Sequence, residues 1–255
     1  MILHYKRYGN EDQPTICILH GLFGTLDNWH NVARTLSNDF QVISVDLRNH
    51  GQSDHSAVMN YTLMAADVDE TLEHLKITSC HFIGHSMGGK VLMKLAEDHP
   101  HRVEKMVVVD IAPKKYTAGH DKLFDAMLSI DLSIYKTRKE IEEFVTPLIP
   151  DKSVRLFLLK NIQRGDQGGY SWRMNLPVIH DNYLDIIDKL SPSWPIDNQV
   201  LFVKGEQSNY IQVSDESVIQ EYFPSATFTT IPGAGHWVHA DNPNEFVERV
   251  LEFLA

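Results

Sequence analysis

The chain has 255 residues, 43% hydrophobic and 22% charged, with 14 Gly and 11 Pro, which excludes a disordered, collagen-like or low-complexity protein and leaves room for a large core without staples. Lys+Arg 23 against Asp+Glu 34 gives a net charge of −11, a poor match for phosphate backbones, so nucleic acid is not an expected partner. No stretch nears the roughly 18 apolar residues of a membrane helix, Met1–Arg7 has no secretory apolar region behind it, and Cys17 and Cys80 read as buried thiols in apolar runs; a cytoplasmic protein without a membrane span is expected.

In chain order, Ile2 to Tyr8 suggests an edge strand or hairpin, and Thr15–Leu19 a strand that ends at His20-Gly21. A helix from about Asn28 to Leu36 and a strand Gln41–Val45 follow. Thr62 to Leu75 carries Leu63, Ala66, Leu72 and Leu75 near helical spacing. Next come a strand Cys80–Ile83, a helix Gly88–Asp98 and a strand Lys105–Val109. These strands are continuous apolar runs rather than alternating ones, as in a parallel sheet covered by helices on both faces.

The pattern changes at Pro113. From Lys114 to about Ser193 no strand is evident, only amphipathic stretches at Lys122–Leu128, Lys139–Phe144, Val154–Asn161 and Tyr183–Leu190, broken by Pro and Gly. Strands resume at Gln199–Val203 and Ala226–Thr230, and a helix from about Asn244 to Phe253 has Pro243 at its entry. A crossover between parallel strands needs about a dozen residues. The much longer stretch between Val109 and Val200 therefore predicts a helical lid, residues 114–195, on a core made of 1–113 and 196–255. No internal repeats are present.

Gly84-His85-Ser86-Met87-Gly88 is a Gly-x-Ser-x-Gly. Alone it is weak, since it arises by chance in roughly one chain of this length in ten. Here it follows a buried strand and opens a helix, the setting in which a sharp turn exposes a serine hydroxyl. Gly84 to Lys90 also fits most of a P-loop, but Val91 stands where the magnesium-binding hydroxyl belongs. Serine needs a base. Among 14 histidines, His236 in Gly233-Ala234-Gly235-His236-Trp237 lies after the last strand, far along the chain from Ser86; His239 shares its loop as a decoy. The amides of Leu22, after His20-Gly21, and of Met87, after Ser86, are expected to form an oxyanion hole. Asp46-Leu47-Arg48-Asn49-His50-Gly51-Gln52-Ser53 reads as a structural turn, with His50 a candidate for the pocket rim. No His/Cys/Asp cluster has zinc spacing, and this chemistry requires neither metal nor organic cofactor.

With these elements in order, the chain resembles the α/β-hydrolase superfamily over nearly its whole length, through His20-Gly21, Asp46-x-Arg48-x-x-Gly51-x-Ser53, Gly84-x-Ser86-x-Gly88 and Gly235-His236. Within it the chain is most similar to the small bacterial esterases of the YbfF type. The stretches that carry this closer likeness are His20–Gly24, Asp46–Gly51, Gly84–Lys90, Val109–Pro113 and Gly233–Ala240. The resemblance implies an α/β-hydrolase fold, a mostly parallel central sheet flanked by helices with an inserted helical lid. It also implies a Ser-His-Asp hydrolase of esters or acyl thioesters. A carbon–carbon bond hydrolase, a cofactor-free perhydrolase and a non-enzymatic ligand receptor on the same fold are the alternatives.

One position departs from the superfamily pattern. The turn Lys204–Tyr210 has Ser208 where the acid usually stands. Asp110, at the end of the neighbouring strand, is the expected acid, with Glu206 the other candidate and Ser208 an accessory partner of His236. Phe23, Trp172, Arg173 and Trp237 are the candidate substrate-binding residues, Arg173 for an anionic head group. The lid's apolar residues, Phe124, Met127, Leu128, Ile130, Phe157 and Leu158, face either an acyl pocket or the lid's own core. The expected partner is a small acyl ester or thioester, bound by a monomer or homodimer.

Overall fold

The computed structural model describes residues 1–165 and 168–255. Its strands are β1 (Tyr5–Tyr8), β2 (Thr15–Leu19), β3 (Gln41–Val45), β4 (Cys80–His85), β5 (Val103–Val109), β6 (Ile162–Arg164), β7 (Tyr170–Trp172), β8 (Gln199–Gly205) and β9 (Ala226–Ile231). The helices before β6 are α1 (His30–Leu36), α2 (Tyr61–His74), α3 (Met87–Asp98), α4 (Asp121–Ser129), α5 (Arg138–Val145) and α6 (Lys152–Leu159). Those after β7 are α7 (Leu176–Asp181), α8 (Tyr183–Ile187), α9 (Glu216–Tyr222), α10 (Val238–Asp241) and α11 (Pro243–Leu254).

Seven strands form one sheet in the order β1-β3-β2-β4-β5-β8-β9, with β1 antiparallel at the edge and every other pairing parallel. The continuous apolar runs are explained by two cores. Leu19, Ile43, Phe82, Met106 and Phe202 pack on one face with α2 and α3, and Ile16, Ile18, Ile83, Val107 and Val203 pack on the other with α1 and α11. Asn60 caps α2 by accepting the Leu63 amide, and Asn242 with Pro243 opens α11.

Residues 114–195 leave the sheet after β5 and return to it at β8. They are not all helical: β6 and β7 form an antiparallel hairpin, a correction to the strand-free expectation. Strands of three residues with Gln163 and Arg164 among them give no alternation to read. This segment is tied to the sheet's carboxyl edge. Asn175 N–H donates to Asn49 O (2.8 Å), Asn161 Nδ2 to Phe23 O (2.6 Å) and Tyr61 OH to Ile186 O (2.6 Å). No helix among the described residues is long and apolar enough to cross a membrane.

The Asp46–Ser53 turn is structural, as read. The Asp46 carboxylate accepts the amides of Leu26 and Gln52, and Gly51 at φ 58° lies so close that an added Cβ would sit 2.1 Å from Asp46 Cγ. Arg48 pairs through two nitrogens with buried Asp67. His50 is buried away from the rim, with Nδ1–H on Arg48 O and Nε2 accepting the Phe23 amide.

Candidate active site

Ser86 follows β4 and opens α3 in a left-handed conformation, φ 52° and ψ −119°. A serine pays to sit there. The turn is forced by packing on both sides. A Cβ on Gly84 would meet Gly88 O at 2.5 Å, and one on Gly88 would meet Leu19 O at 2.4 Å. Three hydrogen bonds hold the strained residue: its N–H donates to Val109 O and its C=O accepts from the amides of Gly89 and Lys90.

Two chain-distant side chains line up behind it. His236 Nε2 lies 3.1 Å from Ser86 Oγ, and His236 Nδ1–H donates to Asp110 Oδ2 at 2.7 Å. A carboxylate on Nδ1 fixes the tautomer that leaves Nε2 free to take a proton. Asp110 caps β5 with a positive φ of 51° and is fully buried. Its carboxylate also accepts the Gly205 amide (3.3 Å) and, in a short contact, the Ser208 hydroxyl. Ser208 thus bonds to the aspartate rather than to His236, which corrects the expected pairing: its place after β8 faces the β5 terminus. Glu206 is exposed and accepts the Gly233 amide instead.

A cavity of about 520 Å³ opens over Ser86, lined among others by Leu22, Phe23, Met87 and Trp237. No acceptor among the described residues takes the amide of Leu22 or Met87. Trp172 and Arg173 do not line the cavity, a correction to both assignments. Trp172 pairs with Ile162 in the hairpin and packs into that unit's own apolar cluster. Arg173 turns outward, its guanidinium 3.8 Å from Asp27 and its main chain bonded to Asn161 and His55. Of the lid residues, Phe157 and Leu158 reach the cavity, while Phe124 and Met127 are core and Leu128 is exposed.

Sequence reading missed several cavity residues. Tyr210 stacks on His236, with centroids 3.7 Å apart. His85 donates from Nε2 to His236 O, and burial holds its pKa well below the usual histidine value. His239 lies flat on Trp29, with burial lowering its pKa to about 3. Lys90 is buried with its ammonium on the carbonyls of Lys114 (3.0 Å) and Asp188 (2.5 Å), and desolvation lowers its pKa to about 8. Lys90 had a sequence signal, a lysine one helical turn after the nucleophile on a buried helix face, and His239 was noted only as a decoy on the His236 loop.

Known proteins fit this geometry. A family model described as the alpha/beta hydrolase fold matches residues 14–243. Esterase YbfF of Escherichia coli (strain K12) is 39% identical over 242 residues, covering 94% of this chain and 92% of its own. An sn-1-specific diacylglycerol lipase, ABHD11 of Danio rerio, is 38% identical over 96% of this chain and 80% of its own. The solved structure of a marine microorganism esterase superposes with a TM-score of 0.96 at 43% identity, covering 99% of both chains. A sheet of this order, a serine at the β4–α3 turn and a match across nearly the whole length together mean that the chain belongs to the alpha/beta hydrolase family.

Proposed function

We propose that this carboxylic ester hydrolase works by acyl transfer to water through Ser86, His236 and Asp110, on carboxylic esters or acyl thioesters. The observation that carries the reading is the unbroken run of contacts from Ser86 Oγ to His236 Nε2 (3.1 Å) and from His236 Nδ1 to Asp110 Oδ2 (2.7 Å). Ser86 attacks the carbonyl as His236 takes its proton. The amides of Leu22 and Met87, at the mouth of α3, receive the oxyanion. His236 then protonates the leaving alcohol or thiol, and water repeats the sequence to free the acid. Asp110 holds the imidazole tautomer and stabilises the imidazolium, and Ser208 holds Asp110.

Residues 114–195 act as a cap on a core of 1–113 and 196–255, and Phe23, Phe157 and Trp237 shape the acyl or alcohol site beneath it. The free, buried thiols of Cys17 and Cys80 suit a reducing compartment, the cytoplasm.

Fluorophosphonate labelling with peptide mass spectrometry tests the reading. Labelling on Ser86, lost in His236→Ala, is the expected result, followed by turnover of an ester and thioester panel. Folded wild-type protein that takes no label and turns over no ester overturns it.

A further inference from the structure

Among the described residues, Tyr210 is the one aromatic ring that lies face to face with the imidazole of His236: the centroids are 3.7 Å apart and the planes 15° from parallel. The tyrosine is held at both ends of its backbone. Its N–H donates to Ser208 Oγ (3.2 Å), and its C=O accepts from Tyr116 OH (2.9 Å), which itself accepts the Ala112 amide (2.8 Å). Ala112 is two residues beyond Asp110, so the segments that place the carboxylate also place this ring. The hydroxyl of Tyr210 bonds to no described residue, which leaves the ring as the part in use.

The other groups around His236 act differently. Asp110 meets it in the ring plane through Nδ1. His85 sits tilted at 4.8 Å and is kept neutral by burial, and His120, across the cavity, is likewise depressed by burial. A cation over an aromatic face is attracted by the ring quadrupole, by more where water is excluded. A neutral imidazole gains little from this. An imidazolium gains the full attraction, and both acylation and deacylation pass through one.

We propose that Tyr210 is a positioning residue for His236, fixing the imidazole plane so that Nε2 faces Ser86 and favouring the imidazolium formed during turnover. The proposal rests on the Ser86–His236–Asp110 reading above. Its test is kcat and KM on a neutral p-nitrophenyl ester after replacing Tyr210 by leucine, by phenylalanine, and by mono-, di- and trifluorinated phenylalanines.

Tyr210→Leu should lower kcat about ten- to thirtyfold, and Tyr210→Phe should restore it to within about threefold of wild type. Each fluorine drains the ring face without changing its shape, so kcat should fall stepwise, by about tenfold at three fluorines, with KM unmoved. A flat fluorine series, a change confined to KM, or equal damage from phenylalanine and leucine overturns the proposal. Should Tyr210→Leu not fold, the fluorine series decides alone. Fluorophosphonate labelling of wild-type Ser86 separates the two readings. A labelled wild type with a flat series removes only the role of Tyr210, whereas an unlabelled wild type removes the parent mechanism.

Discussion

Acid should unfold this protein through its buried histidines. Desolvation lowers the pKa of His20 from 6.5 to about 4, and those of His50 and His239 to about 3. In the unfolded chain each takes up a proton near 6.5, while the native side chains resist to about 4 or 3. Between those limits the unfolded state binds up to three more protons than the native state. Their contribution is therefore fully present above about pH 6.5 and is lost as the pH falls. At about 1.4 kcal/mol per proton per pH unit, the slope approaches 4 kcal/mol per pH unit. Over the stretch from pH 6.5 down to 5–4 this removes about 6–10 kcal/mol, so a native state in the lower half of the 5–15 kcal/mol range should be exhausted near pH 4–5. His85, depressed in the same direction, adds to the effect.

The perturbation is His50→Gln. Glutamine supplies an acceptor where His50 Nε2 takes the Phe23 amide, but it does not titrate. Urea unfolding at half-unit steps from pH 7.5 to 4.5, followed through the fluorescence of buried Trp29, measures the slope. The variant should lose about 1.4 kcal/mol per pH unit of it below pH 6. Identical slopes for wild type and variant, or stability flat between pH 7 and 5, would refute the linkage.

Asp110→Asn should cut kcat by about 10³- to 10⁴-fold with the fold intact, because an amide no longer selects the working imidazole tautomer. Glu206→Gln should stay within about twofold in the same steady-state assay, since Glu206 serves only the Gly233 amide; the opposite ranking would move the acid to Glu206. Lys90 offers a stability test of opposite pH range. Its pKa is lowered from 10.5 to about 8, so the buried charge costs the native state about 3 kcal/mol below pH 8, a cost that fades as the pH rises to 10.5. Lys90→Met should therefore be relatively more stable against wild type at pH 7 than at pH 10 in paired urea titrations, and a constant gap would contradict this.

Much of the fold was legible because its signals are local. Parallel strands buried on both faces are unbroken apolar runs, and Thr15–Leu19 and Gln41–Val45 fall where those runs do. The β6–β7 hairpin was not legible, being short and polar, nor was α7, whose Pro177 reads as a breaker although it stands at the helix start. At the site, Ser86 and His236 announce themselves through glycines that their turns require. Asp110 was reached through the resemblance to YbfF-type esterases together with its place at the end of the strand beside the one whose turn carries Ser208.

The partners across the gap were harder. Nothing in sequence spacing says that the Ser208 hydroxyl turns to Asp110 or that Tyr210 lies on His236, since both depend on how the loop after β8 descends over β5. Arg173 was misplaced for a related reason. A hairpin alternates its faces, and Arg173 follows β7 on the side that meets Asp27 at the surface.

The Ser208–Asp110 contact also bears on how such a site can change over time. A carboxylate introduced at position 208 would crowd the oxygen that already takes the imidazole proton. Like charges sharing one small buried space force one of them to stay protonated at neutral pH. Loss of Asp110 first, with serine still at 208, leaves His236 with no anion at all. Neither single step between the two placements of the acid is neutral, so a lineage on one side reaches the other only by two coupled substitutions. The serine hydroxyl is thus more than a filler: it is a donor that only one of the two arrangements can use, and it keeps the chain on its present side of that divide.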